Sequence, residues 1–281
     1  MTLRAIALDM DGTFLDAHNT VNAKLIQLIG DLRLKDYHIF LATGRTMIEI
    51  LDVVPDDFEV DGIVTANGMI CYKENTKIVQ HTLDSDLINK AISHARSNNM
   101  YYELHPAEGR RFALKSDFQT FNSELKKKKS KTLPTNEYHS RVEALENEIE
   151  WVEELTYKDI IKVYFFSMDT EVINKWKNHL NQLKMEKTFT TSSSSLHNVE
   201  IMVDNVSKAT GIQLLLDKYN LSPKELMAVG DAENDLPMFD LATHAVAMKN
   251  AHESIKLEAD DVTEHPHNEN GLYHYLKEKF K

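Results

Sequence analysis

Blocks of apolar residues alternate with polar stretches along the chain, and their spacing predicts strands and helices in turn. Short continuous apolar runs are typical of buried strands, whereas apolar residues three or four positions apart indicate one face of a helix. The first part of the chain has predicted strands at residues 3–8, 37–41 and 62–64, helices at 22–34 and 46–54, and a hairpin at 69–82. Because strands that alternate with helices favour parallel pairing, we predict an α/β fold with a doubly wound, Rossmann-like parallel sheet.

The pattern changes between residues 83 and 200. Apolar residues at 142, 145, 149, 152 and 155 recur at helical spacing among glutamates and predict a surface helix. The other predicted elements are helices at 84–98 and 171–183 and strands at 100–104, 111–115, 160–166, 188–191 and 199–203, with a polar, basic stretch at 116–139. No predicted strand in this region ends in a carboxylate pair or a Thr-Gly, and strands that end in such polar groups occur again only after residue 207. We therefore predict a core formed by residues 1–82 and 201–281, and an inserted α/β domain at residues 83–200.

Polar groups follow the predicted core strands or begin a predicted helix. Asp9 and Asp11 come directly after the first strand, on the same side of it, because side chains alternate along a strand. The others are Thr43 and Gly44 after the second strand, Lys208 at a helix start, and Asp231, Asn234 and Asp235 after the strand at 226–229. In open parallel sheets, ligands bind at the carboxyl ends of the strands. We therefore expect these groups to line one crevice.

This set of residue types favours phosphoryl transfer, in which a protein mainly positions and neutralises a phosphoryl group. A carboxylate can attack phosphorus and form an aspartyl phosphate, and it needs a hard cation beside it. Side-chain oxygens of Asp9 and Asp231 would bind Mg²⁺, with a backbone carbonyl, waters and substrate phosphate completing an octahedron. The Thr43 hydroxyl, the Gly44 amide, Lys208 and Asn234 would donate to the phosphate oxygens.

Each of these residues alone has a simpler structural explanation. Thr43 could be a helix cap, Lys208 a surface charge and Gly230-Asp231 a turn. Their joint occurrence in this order, each at the boundary of an element, favours the catalytic interpretation.

Composition narrows the classes of partner and compartment. The chain has 281 residues, 42% of them hydrophobic, which is enough for two domains with buried cores. A net charge of -12 argues against nucleic-acid binding, since phosphate neutralisation needs clustered Lys and Arg. The single cysteine, Cys71, excludes an intrachain disulfide and fits a reducing cytoplasm. The N-terminal residues lack a charged leader or long apolar segment, so we expect a cytoplasmic protein with no membrane association.

The motifs resemble those of the haloacid dehalogenase-like superfamily, and within it the Cof-type phosphatases. The family's Asp-x-Asp-Gly-Thr matches residues 9–13, its strand ending in Thr-Gly-Arg matches residues 43–45, and its Gly-Asp-x-x-Asn-Asp matches residues 230–235. Its lysine matches Lys208. Ala209 and Lys249 stand where the family commonly has glycine.

The resemblance implies a role for each carboxylate. Asp9 would be the nucleophile, and Asp11 the acid that protonates the leaving oxygen and then the base that activates water. Asp235 would hold Lys208 or metal-bound waters. The family's metal set corresponds to Asp9, Asp11 and Asp231, and its cofactor is Mg²⁺.

We therefore expect a Mg²⁺-dependent phosphatase acting on a small phosphorylated metabolite, such as a sugar phosphate or a phosphorylated cofactor. Two alternatives remain open: a phosphomutase or phosphotransferase on the same fold, and a non-catalytic sensor of phosphorylated metabolites. The inserted domain would act as a lid that selects the substrate. Its candidate substrate contacts are polar groups on strand ends and loops, namely Glu103, His105 and Arg110, together with Arg45 of the core.

Overall fold

The computed structural model describes residues 3–281, and the chain divides into two compact units. One unit joins the chain up to residue 80 with residues 206–281, and the other is the continuous segment 81–205. The sequence-based boundaries of the insertion, 83 and 200, lie inside this second unit. No helix among residues 3–281 is both long enough and apolar enough to cross a membrane.

The strands and helices of the first half of the first unit follow the order that the sequence pattern predicts. The strands are β1 (Ala5–Leu8), β2 (His38–Ala42), β3 (Gly62–Thr65), β4 (Ile70–Lys73), β5 (Thr76–Gln80), β6 (Tyr101–Pro106), β7 (Phe112–Leu114), β8 (Glu150–Val152), β9 (Ile160–Phe166), β10 (Thr190–Ser192), β11 (Asn198–Met202), β12 (Leu226–Gly230), β13 (His244–Ala247) and β14 (Asp261–Val262). The α-helices are α1 (Ala23–Leu34), α2 (Met47–Leu51), α3 (Ser85–Ser97), α4 (Phe118–Leu125), α5 (Thr135–Glu143), α6 (Thr170–Leu183), α7 (Lys208–Lys218), α8 (Leu236–Leu241), α9 (Glu253–Lys256) and α10 (Gly271–Lys279).

The sheet of the first unit has β1 near its centre. Its order is β14-β13-β12-β1-β2-β3-β4-β5, parallel from β14 to β3 and antiparallel at the β3-β4-β5 hairpin. Ala5 and Ala7 pack into the core on one face of this sheet, and Ile6 and Leu8 into the core on the other. A strand buried on both faces must be apolar throughout, which explains the uninterrupted apolar run at residues 5–8. The predicted α/β fold with a mostly parallel sheet is confirmed.

The parallel strands β1, β2, β3 and β12 all point the same way. Their carboxyl ends therefore meet at one edge of the sheet, where the chain continues into Asp9, Thr43, Ala66 and Asp231. This edge collects the polar groups that the sequence analysis singled out in the core.

The second unit has its own sheet and its own core. The sheet order is β10-β11-β9-β6-β7-β8, antiparallel except for the β7-β8 pair. All seven residues of β9 are buried, because β9 lies between β6 and β11 in the interior of the sheet. The apolar face of α6 contributes Trp176, whose ring lies 4.8 Å from that of Phe165 on β9.

Two parts of the second unit differ from the sequence-based prediction. The predicted helix through residues 142 to 155 is wrong in its second half, since β8 forms there and pairs with β7. The stretch at 116–139, interpreted only as polar and basic, contains α4 and most of α5. Phe121 of α4 is fully buried against the rings of Tyr101 and Tyr102, and Leu125 of the same helix is also buried, so these apolar residues anchor α4 in the second unit.

Candidate active site

Asp9 is fixed at the end of β1 by its backbone. Its N–H donates to the Val229 carbonyl at 2.9 Å, which extends the parallel pairing with β12 by one residue. The chain then turns sharply, and Gly12 takes a φ of +78°. A Cβ on Gly12 would lie 2.2 Å from Oδ2 of Asp231, so only glycine lets the two loops approach this closely. The turn thereby brings the loop after β1 against the loop after β12.

A buried lysine links two of the carboxylates. Lys208 is the first residue of α7, whose start is capped by the Ser207 hydroxyl accepting from the Thr210 N–H. The fully buried Lys208 ammonium donates to Oδ1 of Asp9 at 2.5 Å and to Oδ1 of Asp235 at 2.6 Å. Burial lowers the pKa of this lysine, but the two carboxylates outweigh burial and raise its pKa above the ordinary range. Lys208 is therefore a permanent positive charge inside the protein.

Even with this lysine, the edge carries an excess of negative charge. Burial and the nearby charge of Asp235 raise the pKa of Asp9 to about 7, against the lowering effect of Lys208. The pKa of Asp231 lies well above its ordinary value because of burial and the charges of Asp9 and Asp235. Carboxylates with raised pKa values at close quarters are stabilised by a cation or a proton.

The donor set fits a hard divalent cation. Asp9, Asp231 and Asp235 each offer one oxygen, and these atoms lie within 4.8 Å of one another. Oδ1 of Asp231 is buried and accepts no hydrogen bond, so it is available as a ligand. Asp235 is less available, because Lys208 occupies one of its oxygens and the N–H groups of Asp231 and Ala232 occupy the other, at 2.8 and 3.0 Å. Asp9 and Asp231 are thus the better ligands for an ion such as Mg²⁺.

Asp11 faces a different partner. The Arg45 guanidinium donates from Nε to Oδ2 at 2.9 Å and from Nη2 to Oδ1 at 2.7 Å. Partial burial raises the pKa of Asp11, but Arg45 outweighs it and holds that pKa below the ordinary value. The Asp11 carboxylate is not a member of the group formed by Asp9, Asp231 and Asp235. Its proposed part in metal binding stays a prediction.

The predicted phosphate donors come from three separate segments at this edge. Thr43 is fully buried, its N–H donates to the Val64 carbonyl at 2.9 Å, and its hydroxyl accepts from the Arg45 N–H at 3.1 Å. The Asn234 side chain donates to Oδ1 of Asn67 at 3.1 Å, while its own Oδ1 is buried without a hydrogen bond.

Two asparagines in the first unit contact these residues, although the sequence pattern did not predict them as site residues. Asn250 donates to the Gly12 carbonyl at 2.9 Å and to Oδ2 of Asp231 at 3.1 Å, which holds the two loops together. Asn67 follows β3 and contacts Asn234. The only sequence signal for Asn67 is the Asn-Gly pair after an apolar strand, which indicates a turn rather than a site.

The predicted substrate contacts of the second unit differ in their surroundings. Arg110 is exposed in the loop between β6 and β7. Glu103 and His105 lie within β6, not in a loop, and both are buried. Glu103 accepts hydrogen bonds from His105 at 3.1 Å, from Arg111 at 2.9 Å and from Arg141. These partners outweigh burial and hold the pKa of Glu103 well below its ordinary value.

Comparison with known proteins defines the class to which this fold and site belong. The sequence profile of the haloacid dehalogenase-like hydrolases matches residues 6–276. The chain is 26% identical to 5-amino-6-(5-phospho-D-ribitylamino)uracil phosphatase YwtE of Bacillus subtilis, over 98% of this chain and 97% of that protein. It is 27% identical to phosphatase YwpJ of the same organism, over 98% of this chain and 99% of that protein.

Solved structures share the fold. A haloacid dehalogenase-like hydrolase from Bacillus subtilis superposes with a TM-score of 0.82 at 23% identity, over 98% of this chain and 99% of that chain. At 23% identity, this structural similarity shows a shared fold and nothing about activity. The profile match shows that the chain belongs to the haloacid dehalogenase-like hydrolases, and its similarity to named phosphatases over nearly its whole length supports a phosphatase activity.

Proposed function

We propose that the protein is a Mg²⁺-dependent phosphatase that hydrolyses a small phosphorylated metabolite through an aspartyl phosphate on Asp9. The observation that carries this proposal is the contact of the Asp9 carboxylate with the buried Lys208 ammonium at 2.5 Å. An anionic nucleophile must approach an anionic phosphoryl group, so a fixed positive charge beside the attacking carboxylate favours the reaction. A site that only bound phosphate would need no carboxylate at this position.

The proposed reaction has two steps. In the first, an Asp9 oxygen forms a bond to phosphorus while the bond from phosphorus to the leaving oxygen breaks, and Asp11 gives that oxygen a proton. In the second, Asp11 takes a proton from water as the water oxygen bonds to phosphorus and the Asp9–phosphorus bond breaks. The products are the alcohol, inorganic phosphate and an ionised Asp9.

The remaining core groups would bind the phosphoryl oxygens. The Thr43 hydroxyl, the Gly44 N–H, the Lys208 ammonium and the Asn234 amide supply donors from three segments of the chain. Donors that are fixed before the reaction stabilise the charge that spreads over these oxygens during transfer. Asp235 would keep Lys208 in position, which is supported by their 2.6 Å contact.

The residues present fit a magnesium ion. Asp9 and Asp231 would hold it, and the buried, unbonded Oδ1 of Asp231 is the atom that most needs a cation. When bound, Mg²⁺ would neutralise charge on the substrate and favour the ionised form of Asp9. Asp11, the third predicted ligand, has both carboxylate oxygens bonded to Arg45.

The proposed substrate class is a sugar phosphate or a phosphorylated cofactor. The donors of the core recognise a phosphoryl group and little else, so residues outside the motifs must distinguish one metabolite from another. We propose that the inserted unit, with its exposed Arg110, provides that selectivity. The compound in the name of the Bacillus subtilis relative, a phosphorylated ribitylaminouracil, belongs in any substrate panel.

Trapping the intermediate tests the proposal. The enzyme is mixed with p-nitrophenyl phosphate and Mg²⁺, quenched in acid within one turnover and digested for mass spectrometry. We expect one added phosphoryl group on the peptide that contains Asp9, and no turnover after chelation of the metal. Turnover without a phosphorylated peptide would contradict the covalent step, and full turnover in chelator would contradict the metal.

The same preparation distinguishes the alternatives. An added alcohol acceptor that captures most of the phosphoryl group would indicate a phosphotransferase or phosphomutase. Binding of phosphorylated metabolites with no turnover of any of them would indicate a sensor.

A further inference from the structure

The turn that follows β3 has a backbone conformation that most residues avoid. Ala66, Asn67 and Gly68 take φ values of +45°, +55° and +106° in succession. L-residues are disfavoured in this left-handed region, although asparagine and glycine tolerate it better than others. All three residues are buried. A disfavoured conformation of this kind persists where surrounding contacts enforce it, and such conformations cluster at functional sites.

Backbone hydrogen bonds fasten this turn to the loop that carries Thr43 and Gly44. The Asn67 N–H donates to the Thr43 carbonyl at 2.8 Å, and the Ala66 N–H donates to the Arg45 carbonyl at 2.8 Å. A Cβ on Gly44 would lie 3.3 Å from Nδ2 of Asn67, so the Asn67 amide packs directly on the Gly44 backbone. The turn therefore determines the position of the loop from one side.

The same turn contacts the segments that carry the other two donors. The Asn67 side-chain oxygen accepts from the Asn234 amide at 3.1 Å. A Cβ on Gly68 would lie 2.3 Å from the carbonyl oxygen of Ser207, the residue before Lys208. One turn of three residues thus touches all three segments that supply the proposed phosphate donors.

We infer that Asn67 is a positioning residue for phosphoryl transfer, which fixes the Asn234 amide and the Gly44 backbone relative to each other. This inference rests on the proposed function. Asn67 combines tolerance of the left-handed conformation with a side-chain oxygen that orients Asn234. Donors held in place before the reaction contribute most to the transition state, so Asn67 should affect catalysis more than ground-state binding of phosphate.

The test is a double-mutant cycle between residues 67 and 234. Asn67→Gly keeps the left-handed backbone and removes the amide, and Asn67→Ala is a second amide-free variant, in a turn where Ala66 is already left-handed. Each is made alone and with Asn234→Ala, and kcat and KM are measured with p-nitrophenyl phosphate. Because Asn67 acts through Asn234, we expect either single variant to lower kcat about 10- to 100-fold with a smaller change in KM, and the double variant to be no worse than Asn234→Ala.

Inhibition constants give a second readout that a general loss of structure would not reproduce. We expect vanadate, which resembles the transition state, to bind about 10-fold or more weakly to the Asn67 variants, and inorganic phosphate to bind nearly as well as to the wild type. Asn220→Gly is the matched control, because Asn220 is also left-handed, with a φ of +54°, but is exposed after α7. It should keep wild-type kinetics.

The outcomes separate this inference from the proposed function. If Asn234→Ala lowers turnover but the Asn67 variants do not, or if the two losses simply multiply, Asn67 has no positioning role. If Asn234→Ala itself leaves turnover unchanged, the proposed function fails at that residue and the inference falls with it. Failure of both Asn67 variants to fold would also overturn the inference, which expects the backbone bonds to maintain the turn.

Discussion

Arg45 and Asp11 form a bidentate ion pair, in which Nε donates to Oδ2 at 2.9 Å and Nη2 donates to Oδ1 at 2.7 Å. Paired donors of this kind favour the ionised carboxylate. The proposed role of Asp11 in the first step requires the protonated form, so Arg45 opposes the function of its own partner in this arrangement. The strength of the pair should therefore appear in the pH dependence of the reaction.

Replacing Arg45 by glutamine removes the charge that lowers the pKa of Asp11. A general acid is active below its pKa, so activity is lost as the pH rises through it. We expect the alkaline limb of the kcat/KM profile for an alkyl phosphate to move to higher pH in Arg45→Gln. With p-nitrophenyl phosphate, whose leaving group needs no proton, kcat/KM should fall much less as the pH rises. If the alkaline limb for the alkyl phosphate does not move, Arg45 does not control the pKa of the general acid.

Asp9→Asn keeps the shape of the side chain and removes the attacking oxygen and one negative charge. We expect turnover of p-nitrophenyl phosphate below about a hundredth of the wild-type value, since loss of a nucleophile costs several orders of magnitude. Mg²⁺ binding, followed by calorimetry, should weaken as well. Asp217→Asn, on the exposed side of α7, is the control and should retain full activity. A variant of Asp9 with substantial turnover would disprove its role.

Asp11→Asn separates acid catalysis from metal binding. An alkoxide is a poor leaving group without a proton, whereas nitrophenolate leaves readily. We expect the phosphorylation rate, measured by rapid quench, to fall far more for an alkyl phosphate than for p-nitrophenyl phosphate. Equal losses for the two substrates would mean that Asp11 only contributes to the metal site.

Glu103 should stabilise the second unit in a pH-dependent way. Its carboxylate is fully buried against the Arg111 and Arg141 guanidinium groups, and Glu103→Gln would remove the negative charge that these two arginines share, although Arg111 would keep its ion pair with Glu148. We expect a loss of about 3–5 kcal/mol in the free energy of unfolding at neutral pH. The unfolding of this unit can be followed by tryptophan fluorescence, because Trp151 and Trp176 are the only tryptophans of the chain.

The sign of the pH effect follows from the direction of the shift. The pKa of Glu103 is lower in the folded protein than in the unfolded chain, so its stabilisation is complete above about pH 4.3, the ordinary glutamate pKa. It declines as the pH falls from there toward the folded-state pKa. Wild-type protein should therefore lose more stability than Glu103→Gln over this acidic range. Parallel curves for the two proteins would contradict this.

Arg110→Ala tests the selectivity assigned to the inserted unit. Arg110 lies in an exposed loop, so its removal should not affect folding. We expect kcat/KM to change about 10-fold or more for at least one sugar phosphate and to stay constant for p-nitrophenyl phosphate. Lys115→Ala removes another exposed charge of the same unit and serves as control. If Arg110→Ala changes kcat/KM by the same factor for every substrate in the panel, Arg110 is not a selectivity residue.

The core was predictable because each of its signals is local. The apolar run before Asp9 must be a buried strand, and parallel pairing then brings the strand ends to one edge. The prediction failed at residues 150–152, where Trp151 lies opposite Ala113 of β7, because strand pairing between distant segments overrode the helical spacing. Asn67 was missed for a similar reason, since its contact with Asn234 spans 167 positions of sequence.

The division of the first unit between the two ends of the chain has a consequence during synthesis. β1 pairs with β2 early, but its other partner, β12, begins only at Leu226. Until that segment has left the ribosome, the backbone groups along one edge of β1 have no strand to pair with, and the side chains of β1 are all apolar. Such an edge is a template for aggregation. The continuous segment 81–205, by contrast, needs no later part of the chain to complete its sheet. Newly made chains should depend on chaperones most while residues 206–230 are being translated.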